Sequence, residues 1–295
     1  MSWQLFKTIY EAASDITIGG DKLGFVQRTR YYIPARSLWG AATANLTQQL
    51  NAKPCAYDYQ KTGNQLLDDC RFSYLYLTDS HKTVMPWPVT TTDAISGLDP
   101  EEFEQCYVYS RTRTAVAPGT STAEDSALFE FEFLRSRNDD GLHIMWTGYV
   151  WLRDSENLSP EQLRKALSRI QVGGERHYGA GQLLLREWTE LPSASAEIFG
   201  VTSTCDESGP KLQLVDDKPV HLPAHLAIKG LNIDVSGEFE LLQGRVWTDT
   251  KPVQGPGRTV EPFGGLCWMP GAVPKVSQTV SLTIDGYGIL RSVAG

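Results

Sequence analysis

The stretch NLSPEQLRKALSRIQVGGERHYGAGQLLL, Asn157–Leu185, decides how the chain is read. Ser159 is a preferred helix N-cap, Pro160 suits the first helical position and Glu161 puts an acid in the first turn. Leu163, Ala166, Leu167 and Ile170 recur at helical spacing, and the pattern predicts a helix that stops at Gly173-Gly174. The glycine-rich run then enters an apolar strand, GQLLLREWTEL. A dinucleotide fingerprint or a P-loop runs strand, glycine loop, helix, so that a helix N-terminus faces the phosphate. Here the order is reversed and no G-K-[ST] is present, which disfavours a mononucleotide site. What remains is a loop whose glycines, Gly173, Gly174, Gly179 and Gly181, permit positive φ and close approach of a ligand. Arg176 could pair with a phosphate, and His177 or Tyr178 could stack on a base. A helix C-cap followed by a tight turn accounts for the glycines equally well.

Working outward, WQLFKTIYEA reads as a strand and DITIGGDKLGF as a glycine-rich loop carrying Asp21. YYIPARSLWGAATANLTQQLN reads as a helix after Pro34, with Leu38, Ala41, Ala42 and Leu46 on its apolar face. FSYLYLTDS is a strand. Residues 80–125, rich in Thr, Pro and Gly, read as an inserted excursion. ALFEFEFLRS and LHIMWTGYVWLRD, joined by a turn at Asn138–Gly141, read as a hairpin. The order is βαββαβ, that of a ferredoxin-like (RRM-type) sheet with insertions, an α+β fold. The expected division is a ferredoxin-like domain over 1–190, with the insertion at about 80–125, and a β-rich region over 191–295. The short strands of the second half are compatible with a second, degraded ferredoxin-like unit, although no clean repeat is visible.

The chain has 295 residues, 41% of them hydrophobic, enough for one large or two modest domains with a real core. The formal net charge of −8 argues against nucleic-acid binding through bulk charge and leaves only a local basic face for it. The N-terminal MSWQLFKTIYEAAS lacks the basic-then-apolar pattern of a secretory signal, and no run approaches the about 18 apolar residues of a membrane span. Five cysteines at irregular spacing suit a reducing compartment, so the expected location is cytoplasmic.

Two RTR triplets, Arg28 and Arg30 in VQRTRYY and Arg111 and Arg113 in SRTRTAV, lie near aromatic residues. In an extended chain Arg111 and Arg113 share a side. Arginine beside aromatics suits single-stranded RNA, whose bases can be splayed and stacked. Solvated edge strands carry the same pattern. Arg36 stands near a helix start beside Tyr31, Tyr32 and Trp39, either against an RNA backbone or as a surface residue at a hydrophobic helix entry. Asp21 could position a metal or a ribose hydroxyl, but a lone loop Asp is more often a turn residue. His221 and His225 have ligand spacing only on a helix, which Pro223 opposes, and Cys55 and Cys70 flank an irregular segment without a CxxC. No metal or other cofactor is expected. No Ser lies in a nucleophile-elbow context.

Three segments together resemble one family. YIPARSLWGAA is similar to the IPGSSLKGALR element of the RAMP superfamily, the repeat-associated RNA-binding proteins of CRISPR effector complexes. SRTRTAVAPGTSTAEDSALFEFEFL resembles the segment in which an Arg-rich strand leads to TGTA, an acidic residue and LF.E. IQVGGERHYGAGQLLL resembles the glycine-rich loop after the second helix, GG.RS.GFG.V. The three occur in family order and span about residues 1–190. The resemblance implies a ferredoxin-like fold and a subunit that holds guide RNA inside a type III complex, beside other subunits and in contact with target RNA in some positions. GEFELLQGRVW and CWMPGAV look more like the larger subunits that cap the complex at the 5′ handle of the guide. The implied RNA contacts are the Gly173–Gly181 loop, Arg36, Ser37, Trp39 and the four triplet arginines. Ala35 and Trp39 depart from the family's Gly and basic residue. In backbone subunits an Asp in the loop after the first strand cleaves target RNA, and Asp21 would be its counterpart, in surroundings that match poorly. Repeat-processing relatives use a histidine near the first helix, but none precedes His81 here. The pattern favours a non-catalytic RNA-binding subunit. The alternatives are an endoribonuclease relying on Asp21 and a protein scaffold without RNA contact.

Overall fold

A computed structural model describes residues 2–89, 91–116, 119–120, 122–215, 220–246 and 259–293. Through Leu191 the elements are β1 (Trp3–Ala12), β2 (Gly19–Leu23), β3 (Val26–Thr29), α1 (Ala35–Leu50), α2 (Ala56–Asp69), β4 (Cys70–Phe72), β5 (Tyr76–Asp79), β6 (Lys82–Met85), β7 (Ile95–Gly97), α3 (Pro100–Tyr107), β8 (Val108–Val116), β9 (Ala123–Leu134), β10 (Met145–Arg153), α4 (Pro160–Leu167), β11 (Arg169–Gln171) and β12 (Gln182–Leu191). The fold is α+β.

The central sheet is built on β1, which pairs antiparallel with β10 on one side and β12 on the other. β10 pairs in turn with β4 and β5, giving the order β11-β12-β1-β10-β5-β6-β7 with β4 also on β10. β10 is buried along both faces, with Trp146 and Trp151 fully enclosed. Its open side is covered by the C-terminal region, where Phe199 packs edge-on against Tyr149 at 5.1 Å between ring centres. Leu212, Leu226, Leu282 and Leu290 therefore belong to the same apolar core as Leu5, Leu38 and Leu163. After Leu191 the described residues are strands and turns, most of them in one eight-stranded sheet. They contain no helix, so the two helices of a second ferredoxin-like unit are missing from them. No described helix is long and apolar enough to cross a membrane.

Five sequence expectations need correction. α4 begins as expected, with the Ser159 hydroxyl accepting from the Gln162 N–H, but it ends at Leu167. The Asn45 amide donates to the carbonyls of Ala166 and Arg169, both at 2.8 Å, and these take the place of a further helical turn. Ile170 thus lies on β11, and Gly173-Gly174 is part of a loop between two antiparallel strands rather than a helix C-cap. Residues 55–70 are not irregular but contain α2, a helix with Gly63 in its middle. That glycine is needed for packing: a Cβ there would stand 3.1 Å from the Trp39 ring, whose Nε1–H donates to the Gly63 carbonyl at 2.9 Å.

The excursion over 80–125 is largely ordered into β6, β7, α3 and β8. α3 is announced by Asp99-Pro100, with the Asp99 carboxylate accepting from the Glu102 N–H at 2.9 Å. The expected hairpin of β9 with β10 closes only beside its turn, around Arg137 and His143. β9 pairs instead with β8 and, in parallel, with β3, so a separate four-stranded sheet β2-β3-β9-β8 stands beside the central one. Asp21 is exposed on β2 of that sheet, not in a loop.

Candidate nucleic-acid interface

The glycine-rich segment is a tight β11–β12 connection laid on the chain between β1 and β2. The Gly174 N–H donates to the Thr17 carbonyl and the Gly181 N–H to the Asp15 carbonyl, each at 2.8 Å. Two glycines are required by this contact. Gly173 (φ 78°) would place a Cβ 2.1 Å from the Thr17 oxygen, and Gly181 (φ 81°) would place one 1.9 Å from the Val172 oxygen. Close approach is thus made to the protein's own backbone. Between them Arg176–Tyr178 forms one 3-10 turn, flanked by Glu175 and Gly179 in the left-handed region. The turn pushes Arg176, His177 and Tyr178 into solvent, Tyr178 being 77% exposed.

β8 lies next to this turn. Arg113 forms an ion pair with Glu175, and its guanidinium sits 4.5 Å from the centre of the Tyr178 ring. Arg111 lies over Tyr109 and Phe133, each at 5.3 Å, and pairs with Asp15 at 2.9 Å. Asp15 joins the two regions. One carboxylate oxygen accepts from the Tyr109 hydroxyl (2.5 Å) and Arg111, and the other from the Ser136 N–H (2.8 Å) and hydroxyl (2.7 Å). Burial works to raise the Asp15 carboxyl, but the Tyr109 and Ser136 hydrogen bonds and the Arg111 charge outweigh it and hold it below the ordinary aspartate value. Sequence reading missed Asp15 and Glu175. Their partners lie between 62 and 121 residues away, and no local pattern marks them.

The other sequence candidates are not brought to this turn. Arg28 pairs with Glu104 and, at 3.4 Å, with Glu132. Arg30 makes a two-pronged bond to Glu240 at 2.5 Å on each prong and donates to the Tyr32 hydroxyl at 3.0 Å. Arg36 is roofed by Phe263, 4.0 Å from the ring centre, and Tyr287, and donates to the Arg245 carbonyl at 2.6 Å. Burial pushes its guanidinium below the ordinary arginine value. Ser37 is half-buried in the first turn of α1, with its N–H bonded to the Pro34 carbonyl, and Trp39 packs on α2 and Tyr287. All four triplet arginines are therefore matched by carboxylates of the same chain. Arg176 has no side-chain partner among the described residues.

The carbonyl of Asp21 accepts weakly from the Gln27 amide. No group of three or more His, Cys, Asp or Glu side chains that could hold a metal ion occurs among the described residues. The chemistry available at the turn is a cation, an imidazole and a phenol ring in water, beside a row of arginine-capped aromatics. It can stack a base and pair a phosphate.

No protein-family model and no curated protein matches the chain. Among solved structures, a chain of the Type III-B Cmr-beta complex bound to cognate target RNA is similar at 10% identity and a TM-score of 0.43, over 62% of this chain and 96% of that one. A chain of the same complex in its apo state gives 10% and 0.43, over 63% and 97%. A third, from the complex bound to cognate target RNA and AMPPnP, gives 11% and 0.46, over 91% and 86%.

Proposed function

We propose that the chain is a non-catalytic, RNA-holding subunit of a type III CRISPR ribonucleoprotein, seated on the guide RNA near its 5′ handle. The observation that carries this reading is the β11–β12 turn. It presents Arg176, His177 and Tyr178 to solvent at the point where two of the three family-like segments meet through Arg113–Glu175 and Arg113–Tyr178. The strand order β12-β1-β10-β4/β5, all antiparallel, with α1 and α4 as the intervening helices, supports a ferredoxin-like unit. An acidic chain with one small cationic tip depends on neighbouring subunits for most of its RNA affinity.

The test is the assembled complex carrying Arg176→Ala with Tyr178→Ala. Guide RNA retention should fall, and ultraviolet crosslinks from the wild-type turn to RNA should disappear. Unchanged retention together with no adduct on residues 175–179 of the wild type would remove the reading. A second reading, a protein scaffold without RNA contact, is favoured by one specific observation: each triplet arginine is already paired with a carboxylate. The same crosslinking decides it, because adducts at His177 or Tyr178 are incompatible with a scaffold alone.

A further inference from the structure

α2 carries a polar outer face besides the face that packs on Trp39. Thr62, Gly63, Leu66 and Asp69 face inward, and Tyr57, Lys61, Asn64 and Asp68 point outward. An outward polar helix face is ordinarily just solvated. Here Arg153, at the end of β10, and Asn157, in the connection leading into α4, border the same face and form with it a wide, open cleft of about 530 Å³. That is within the size range of small-molecule sites. The connection is fastened to the helix by the Gln65 amide, which donates to the Asn157 carbonyl at 2.9 Å.

The lining has a definite chemistry. Its charges cancel, Lys61 and Arg153 against Asp68 and Asp69, so it favours neither an anion nor a cation. At the floor the half-exposed Arg153 donates twice to one oxygen of the buried Asp69 carboxylate, at 2.8 and 3.1 Å. The walls are side-chain amides. Gln60 and Asn64, one helical turn apart, have no hydrogen-bond partner among the described residues, so each keeps a donor and an acceptor side by side. Tyr57 stands at the rim, 68% exposed, one further turn along the same helix face. A planar, neutral ligand with adjacent donor and acceptor is what this set fits. Side-chain amides pair two-pronged with the N6 and N7 edge of adenine, and an exposed tyrosine supplies the stacking face.

We infer that the cleft between α2 and the Asp154–Ser159 connection is a binding site for an adenine base, with Asn64 and Gln60 reading its edge and Tyr57 stacking on it. The base can arrive on a free adenosine or in a single RNA strand, and the inference stands whether or not the β11–β12 turn binds guide RNA. Titrating the full chain with adenosine, guanosine, cytidine and uridine by calorimetry is the test. Adenosine should bind, and at least about tenfold more tightly than the other three. Asn64→Ala and Tyr57→Ala, both at exposed positions of an intact helix, should each weaken it about tenfold or more, while circular dichroism stays unchanged. Arg176→Ala should leave adenosine binding as it was, which separates this site from the turn. Parallel titrations with oligo(A) and oligo(U) identify the source: tighter binding of oligo(A) than of adenosine points to an RNA strand, and equal binding per base to the free nucleoside. No heat or shift with adenosine at millimolar concentration, equal affinity for all four nucleosides, or full binding in both variants would each overturn the assignment.

Discussion

Two arginine clusters in this chain use the same residue types to opposite ends. At the seam between β3 and the C-terminal sheet, Arg30 is clamped by Glu240, whose carboxylate also meets His225 Nε2 at 2.6 Å. The other ring nitrogen of His225 lies 2.5 Å from the Tyr74 hydroxyl, and His225 is 1% exposed. At the β11–β12 turn, Arg113 and Glu175 also pair, but the tyrosine beside them is in water. Each polar group in the first cluster is satisfied inside the protein, which makes it a fastening between the two halves of the chain. The second leaves Tyr178, stacked on Arg113, open to water, and Arg176 without a side-chain partner among the described residues. Saturation of partners, rather than arginine content, separates a structural cluster from a contact surface.

The largest effect should come from breaking the fastening. Glu240→Ala leaves the Arg30 guanidinium and the His225 ring without their shared acceptor in a largely enclosed place. Removing one partner of a buried pair costs about 3–5 kcal/mol, and urea unfolding of the isolated chain should show a loss of that order. Replacing both charges, Arg30→Met with Glu240→Leu, should cost clearly less, since no charge is then stranded. Equal losses in the single and double variants would mean that the cluster acts through packing alone.

Backbone requirements at the turn come next. Gly181→Ala forces a Cβ against the Val172 carbonyl and should cost about 1–3 kcal/mol. Gly179→Ala has the same sign of φ but open space around it, and should cost about 1–2 kcal/mol or less. If the two cost the same, the close approach of the loop to its own strand is not what selects glycine there.

The fastening should also make stability depend on pH. Burial pushes the His225 imidazole below its ordinary value of 6.5, against the pull of Glu240. The folded state therefore binds fewer protons there than the unfolded state. Stability is fully present above pH 6.5 and is lost as pH falls from there through the lower folded value. Glu240 adds a second window. Burial would raise it, but the bonds from His225 and Arg30 bring it to about 2, so its contribution is present above its ordinary 4.5 and is lost as pH falls toward 2. In a series of unfolding curves, His225→Gln should flatten the first window and make the second shallower, since Glu240 then keeps the Arg30 bonds but loses the imidazole's. A first window that persists in the variant would place its origin elsewhere.

How much of this was legible in the sequence follows from the range of the contacts. α1 and the start of α4 were readable because their signals are local: Pro34, Ser159-Pro160 and an apolar stripe. The Asp99-Pro100-Glu101-Glu102 cap of α3 was equally local, but lay hidden in a segment whose Thr, Pro and Gly content reads as loop. The end of α4 was not legible, because Asn45, 121 and 124 residues away, supplies the bonds that stop it. α2 was obscured by Gly63, whose value lies in Trp39 from another helix. Alternation identified β9 as a strand but not its partner, since β8, β3 and β10 are all plausible mates by pattern. The basic triplets were visible as charge. Their matching carboxylates, Asp15, Glu104, Glu132, Glu175 and Glu240, were not, and they change what the arginines can do.

The smallest effect on stability should come from the tip of the turn, and it is the most informative about function. Arg176 and Tyr178 are exposed, and neither closes the turn, which is held by backbone bonds such as Tyr178 N–H to the Glu175 carbonyl at 2.9 Å. Arg176→Ala with Tyr178→Ala should therefore change unfolding free energy by no more than about 0.5 kcal/mol. A residue pair that costs nothing in the isolated chain but lowers guide RNA retention in the complex is held for a contact rather than for the fold. If the double variant instead destabilises the chain by as much as Gly181→Ala, the Tyr178–Arg113 stack belongs to the scaffold, and the turn resembles the Arg30–Glu240 seam more than it differs from it. Arg113→Ala in the same two assays locates the boundary: it should lower both stability and RNA retention, because Arg113 touches both the turn's carboxylate and its exposed ring.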